Sequence, residues 1–193
     1  MSLIAKKSSA VREPVPEGTH VAILYSIIDL GIQTIVWQGV EKTAPKARFT
    51  FELCNETKEF DGVEKPLVIS NEYTVSFGDK ANLTKIVEGM LGRKLTEAET
   101  QEGIDLKTLV GKVCMLNVVH KETPNGTYAN IASVVPLVKG MEAPKQFNPS
   151  MIFELDNFDH EKFNTFPQFI KDKINSSLEM KKTEVEDASD VPF

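Results

Sequence analysis

A mainly β protein is predicted: five strands closing into a small barrel, a helical insertion between strands 3 and 4, a C-terminal helical arm and a flexible acidic tail. Three observations predict it. Between residues 20 and 77 lie three runs of strand length, the first β-rich and the other two alternating apolar with polar residues. From Leu83 the apolar spacing becomes helical, and after Gly111 two more strand-like runs flank the turn signal Thr123-Pro124-Asn125-Gly126. Beyond Pro136 the composition shifts to a Phe-rich, helically spaced segment that gives way to acids.

Residues 1–18, with Pro14 and Pro16, form an extended N-terminal segment. The first strand starts at His20 and reaches Gly31, where a bulge or coil turns the chain outward before Trp37. A loop is expected from Trp37 to Pro45. The second strand, 46–53, sets Phe49, Phe51 and Leu53 against Arg48, Thr50 and Glu52; the third, 67–77, alternates around Ile69, Tyr73, Val75 and Phe77. Leu83, Ile86, Val87, Met90 and Leu91 then recur with helical period, with Asp79 to cap the start and Gly92 to end it. Thr96 and Glu99 make a capping box for a second short helix, and Asp105 to Val110 reads as one more turn. Strands four and five follow at 113–120 and 127–137. The barrel domain therefore spans 19–140. An arm over 141–177, carrying Phe158, Phe163, Phe166, Phe169, Ile170 and Ile174, packs on it, with DNA stacking by these rings as the alternative, and 178–193 is a disordered acidic tail.

Three strands, a helix and a hairpin follow one another in the order of the oligonucleotide/oligosaccharide-binding (OB) barrel. Closing the sheet removes the unpaired edges that so few strands would expose.

The net charge of −6 argues against a polyanion ligand until it is divided. Residues 141–193 hold 11 acids and 6 lysines, whereas 1–140 hold 17 acids and 16 bases, so the body is nearly neutral. No apolar run approaches the ~18 residues of a membrane span, and the first residues lack a signal-peptide core. A soluble, cytoplasmic protein with no membrane contact is expected. Cys54 and Cys114 sit singly in apolar runs, which favours buried thiols over a bridge or metal site.

Catalytic patterns are poorly represented. His20, His120 and His160 are far apart and lack companions at metal-ligand spacing. Gly103 to Lys112 departs from a phosphate loop in spacing, and Val113 stands where Ser or Thr is required. Neither a nucleophile elbow nor a dinucleotide turn is present. Asp29, Glu52 and Glu72 could approach Mg²⁺, but charged strand residues ordinarily face water. The sequence predicts a non-enzyme without metal or cofactor.

Binding a single strand needs cations along the phosphates and aromatic faces for unstacked bases. The first loop and second strand offer Trp37, Lys42, Lys46 and Arg48; the third strand offers Tyr73 and Phe77, with Lys80 beyond; the last hairpin offers Lys121 and Tyr128. Against this, Phe49, Phe51 and Phe77 suit a barrel core, and single lysines suit any surface. The chain ends with Asp187, Asp190, Val191, Pro192 and Phe193, acids leading to a terminal ring. Such an end suits capture by a partner, the ring in an apolar pocket and the acids on a basic rim.

That ending resembles the acidic tip of bacterial single-stranded DNA-binding proteins. Together with the strand order, the stretch Leu109-Val110-Gly111-Lys112-Val113-Cys114 through Pro136, and the Phe-rich element behind it, it resembles the single-stranded DNA-binding proteins of bacteriophages. The resemblance implies sequence-independent, non-catalytic cover of replication and recombination intermediates in the host cytoplasm. It further implies replication or recombination partners held by the tip, and is compatible with homo-oligomers. Ala188 and Ser189 interrupt the acids, a departure from a dense acidic run. Two rivals stand beside it: a barrel used only for protein contact, as a recombination mediator or host-factor modulator, and a metal-dependent nuclease.

Overall fold

Strand β1, Gly18–Trp37, is the axis of the sheet. On one side it pairs antiparallel with β2, Val40–Phe60, which pairs with β3, Val63–Thr74. Its other edge is shared. β4, Val113–Thr123, pairs antiparallel with residues 18–23, and the short β6, Met151–Phe153, pairs parallel with Ser26–Ile28. β5, Gly126–Pro136, completes the order β3-β2-β1-β4-β5. This computed structural model describes residues 13–78, 81–124 and 126–182, with Trp37 by its backbone alone.

The alternation in β2 sets the core. Ala47, Phe49, Phe51 and Leu53 point inward, where Leu24, Ile69, Leu116, Ile131 and Val134 join them. Helix α1, Asn82–Leu91, buries Leu83, Ile86, Val87 and Met90 in the same cluster. It lies so close to β5 that a Cβ on Gly89 would come within 2.1 Å of the Val134 carbonyl oxygen. Gly92 ends α1 in the left-handed conformation, as its position predicts. Ala81 stands at its N-cap without a side-chain hydrogen bond, and the expected cap Asp79 lies outside the described residues. In α2, Glu97–Glu102, the Thr96–Glu99 capping box forms as read.

Several expectations are corrected. The stretch Trp37–Pro45 is not a loop: β1 and β2 continue as a two-stranded ribbon, reversing at Gln38-Gly39, where φ is +51° and +77°. Asp61-Gly62 turns the β2–β3 hairpin in the same way. Two consecutive positive φ values match the twist of a tight hairpin, so the chain needs no longer connection. Gly31, at φ +71°, takes up a bulge between Asp29 and Gly31 without ending the strand.

Among the described residues the sheet has six strands, not five, and it is open. No ladder joins β3 to β5. Across the gap between their edges, Asn71 Nδ2 donates to Asn130 Oδ1 at 3.2 Å.

The arm is also different in detail. It begins as an irregular strap, adds β6, and only then forms α3, His160–Thr165, and α4, Gln168–Asn175. A second apolar cluster fixes it to the outer face of β1: Ile28 and Leu30 meet Phe153, Phe166, Ile170 and Ile174. It also extends beyond 177. Backbone 178–182 is helical, Met180 packs on the cluster, and the Glu179 carboxylate accepts the Ile32 N–H at 2.9 and 3.1 Å. Residues 178–182 of the expected tail therefore belong to the arm.

Candidate nucleic-acid interface

Alternation that turns Phe49 and Phe51 inward turns Arg48, Thr50 and Glu52 to the outer face of β2. There the arm meets them. Glu52 is 1% exposed, and its oxygens accept the backbone N–H of Phe147 and of Asn148, each at 2.8 Å, and Asn148 Nδ2 at 2.7 Å. A dry carboxylate is tolerable only with donors of this number and quality. The reading of Glu52 as a water-facing strand charge is thus corrected, because its donors arrive from the strap. Burial, and after it the Glu52 charge, pushes the Cys54 thiol up to about 11.

Arg48 lies two outward-facing positions from Glu52, toward the ribbon. Its Nη1 stands 3.6 Å from Glu72 Oε1, the residue opposite it on β3, and its guanidinium lies 5.3 Å from the centre of the Phe169 ring on α4. Lys173, one helical turn beyond Phe169, also pairs with Glu72. Two cations thus share one carboxylate. Next to them Lys46 Nζ donates to Thr74 Oγ1 at 2.7 Å.

Between the facing edges of β3 and β5, over α1, lies a cleft of about 950 Å³. Lys46, Asn71, Glu72, Thr74 and Ser76 line one side, Asn130 and Ser133 the other, and Asn82 and Lys85 reach in from the helix. This is a polar opening with two lysines at its border, a setting in which phosphate oxygens and base edges find both charge and hydrogen-bond partners.

The residues singled out from sequence fall into separate places. Lys46 lines the cleft, and Arg48 reaches it only through its ion pair with Glu72. Lys42 is exposed further out on the ribbon, opposite Ile35, and Trp37 is the last residue of β1, paired with Val40. Lys121 and Tyr128 are exposed cross-strand partners near the β4–β5 turn, beside the start of β1 and so at the other end of the sheet from that ribbon. Tyr73 and Phe77 are not open platforms. Tyr73 is 6% exposed, its ring edge-on to Phe49 at 5.4 Å, and burial pushes its phenol up to about 12. Its hydroxyl makes no hydrogen bond of full geometry among the described residues, and the nearby Asn71 side chain only partly offsets the effect of burial. Phe77 packs partly buried on the same core. Tyr73 is in phase with Ile69, and the inward face claims it. Lys80 and the tip residues Asp187, Asp190, Val191, Pro192 and Phe193 lie outside the described residues.

Sequence reasoning missed Asn71, Lys85, Asn130 and Ser133, which only the meeting of β3 with β5 assembles. It also read Phe169 as arm packing. One signal was present: Phe169 falls outside the stripe Phe166, Ile170, Ile174, whose spacing of four defines the buried face.

Among the described residues no group of three or more His, Cys, Asp or Glu is placed to hold a metal ion, and no helix is long and apolar enough to cross a membrane. No protein-family model matches the chain, and no curated protein matches it in sequence.

Proposed function

We propose that the chain binds single-stranded DNA without sequence preference and without catalysis, on an OB-type sheet left open between β3 and β5. The cleft at that opening carries the reading: Lys46 and Lys85 border it, and amides and hydroxyls line it. The strand order with a helix between β3 and β4 supports an OB-type origin. Phosphates would lie along Lys46, Lys85 and the outer face near Arg48, with bases turned toward the polar lining. The tip from Asp187 to Phe193 would recruit replication or recombination proteins.

The test is fluorescence anisotropy of a labelled oligo-dT and of a duplex of equal length, between about 50 and 200 mM salt. Binding should favour the single strand and weaken with salt. Replacing Lys46 and Lys85 together by Ala should flatten the log–log salt slope by about 1.4, two contacts at about 0.7 each. Equal affinity for duplex and single strand would refute the reading. So would no binding at the lower salt, which would leave a protein-contact module. The ribbon favours that second reading, since Val36 is 63% exposed near its tip with Ile35 and Val40 beside it.

A further inference from the structure

Phe169 is 57% exposed, so the arm gains little by burying it. Its orientation is nevertheless set. Arg48 lies against the ring at 5.3 Å, Glu72 holds Arg48, and Lys173 holds Glu72 from one helical turn beyond the ring. Glu72 also lines the cleft, so the ring is joined to that opening through Arg48 and Glu72. An exposed aromatic ring fixed by its neighbours loses little freedom when a flat ligand stacks on it. Phe147, 54% exposed, offers a comparable area in a worse field: its own N–H is bound to the buried Glu52 carboxylate, a charge that repels phosphate. Beside Phe169, by contrast, stand two cations, Arg48 against the ring and Lys173 one turn on, with Glu72 between them.

We infer that Phe169 is a base-stacking platform of the single-strand site, and that the C-terminal arm is a wall of that site as well as a support. The inference rests on the single-strand reading above. One nucleobase stacks on the solvent side of the ring, Arg48 supports the other side, and the neighbouring phosphate meets Lys173 or Lys46. This gives the interface the aromatic surface that Tyr73 and Phe77, turned into the core, do not supply.

The full chain carrying Phe169→Ala, Phe169→Trp or no change is titrated with labelled oligo-dT. The Ala variant should bind roughly five- to a hundred-and-fifty-fold more weakly, the range that loss of one stacked base produces. The Trp variant should bind at least as well as the parent chain. Trp37 is the chain's one tryptophan, so extra emission in the Trp variant reports position 169 and should be quenched by oligo-dT. Parent chain that binds single strands, with an Ala variant of equal affinity and a Trp variant whose extra emission is unmoved, would overturn the inference and leave the parent reading standing. If the Ala variant does not fold, the Trp emission alone decides. Failure of the parent chain to bind single strands is a different result, and removes both.

Discussion

Replacing Gly31 by Ala puts two separable costs on one position. The first is conformational: φ is +71°, and an L-residue there loses about 1–2 kcal/mol. The second is steric. A Cβ would stand 2.6 Å from Ser177 Cβ, 2.7 Å from Leu155 Cδ1 and 2.9 Å from Glu179 Oε2, and overpacking of this kind costs about 1–3 kcal/mol. Together they come to about 2–5 kcal/mol. All three clashing atoms belong to the arm, so the clash could instead be relieved by undocking it. That would expose Phe153, Phe166, Ile170 and Ile174, at about 1.5–3 kcal/mol each, at least about 6 in all. Local strain is the cheaper response, and the arm should stay docked. Urea unfolding should show a lower midpoint with an unchanged slope. Gly62→Ala is the control, since its φ is +78° and nothing lies within 4 Å of its added Cβ. It should lose only the conformational part. Equal losses in the two variants would show that the arm does not press on Gly31 as described.

Tyr73→Phe removes a buried hydroxyl that makes no hydrogen bond of full geometry and has only the Asn71 side chain nearby, so stability in urea should change by less than about 1 kcal/mol; a larger loss would reveal a full bond to the hydroxyl. Burial pushes the Cys114 thiol up to about 12, and Cys54 stands at about 11, so a thiol reagent near pH 8 should react slowly with the folded protein and with both cysteines once it is unfolded. Fast titration of either thiol in the native state would contradict this burial. The Arg93 guanidinium, with the Thr96 N–H, holds the Glu99 carboxyl down at about 2 from 4.5. A lowered acid stabilises the fold above the unfolded value and loses that contribution as pH falls from about 4.5 toward 2. A carboxyl titration by NMR should show it, and Arg93→Ala should move the value up; an unmoved value would exclude the pair as the cause.

What could be read from the sequence was local. Phe49, Phe51 and Leu53 against Arg48, Thr50 and Glu52 identify both the strand and its inner face, because side-chain direction alternates at each residue. Leu83 to Leu91 and the Thr96–Glu99 box are equally short-range. Glu52 was misread because the Phe147 and Asn148 N–H groups that make its burial tolerable lie almost a hundred positions away. The ribbon was misread because Gly31 and Pro45 look like loop residues. A bulge accommodates the first, and the second sits opposite Ile32 without breaking the pairing. Tyr73 carries a polar tip and suggested a wet groove, yet its phase with Ile69 was the stronger clue. Closure of the sheet was inferred from strand order, and order alone does not say whether β3 and β5 come close enough to exchange backbone bonds. The cleft exists because they do not.

The parallel pairing of Ser26–Ile28 with Met151–Phe153 also has a consequence for how the protein is made. One partner is synthesised near the beginning and the other long after β5, so on the ribosome the sheet has its strands before the arm exists. Once β1 to β5 have assembled, only the strap from Leu137 to Ser150 remains to be closed, a modest loop-closure entropy. Until then Ile28 and Leu30 are bare and the notch at Gly31 is empty. The nascent protein passes through a stage with an apolar strip on its outer face, a surface that chaperones recognise and neighbouring chains can stick to. Docking of α4 ends that exposure, and the same step brings Phe169 to Arg48.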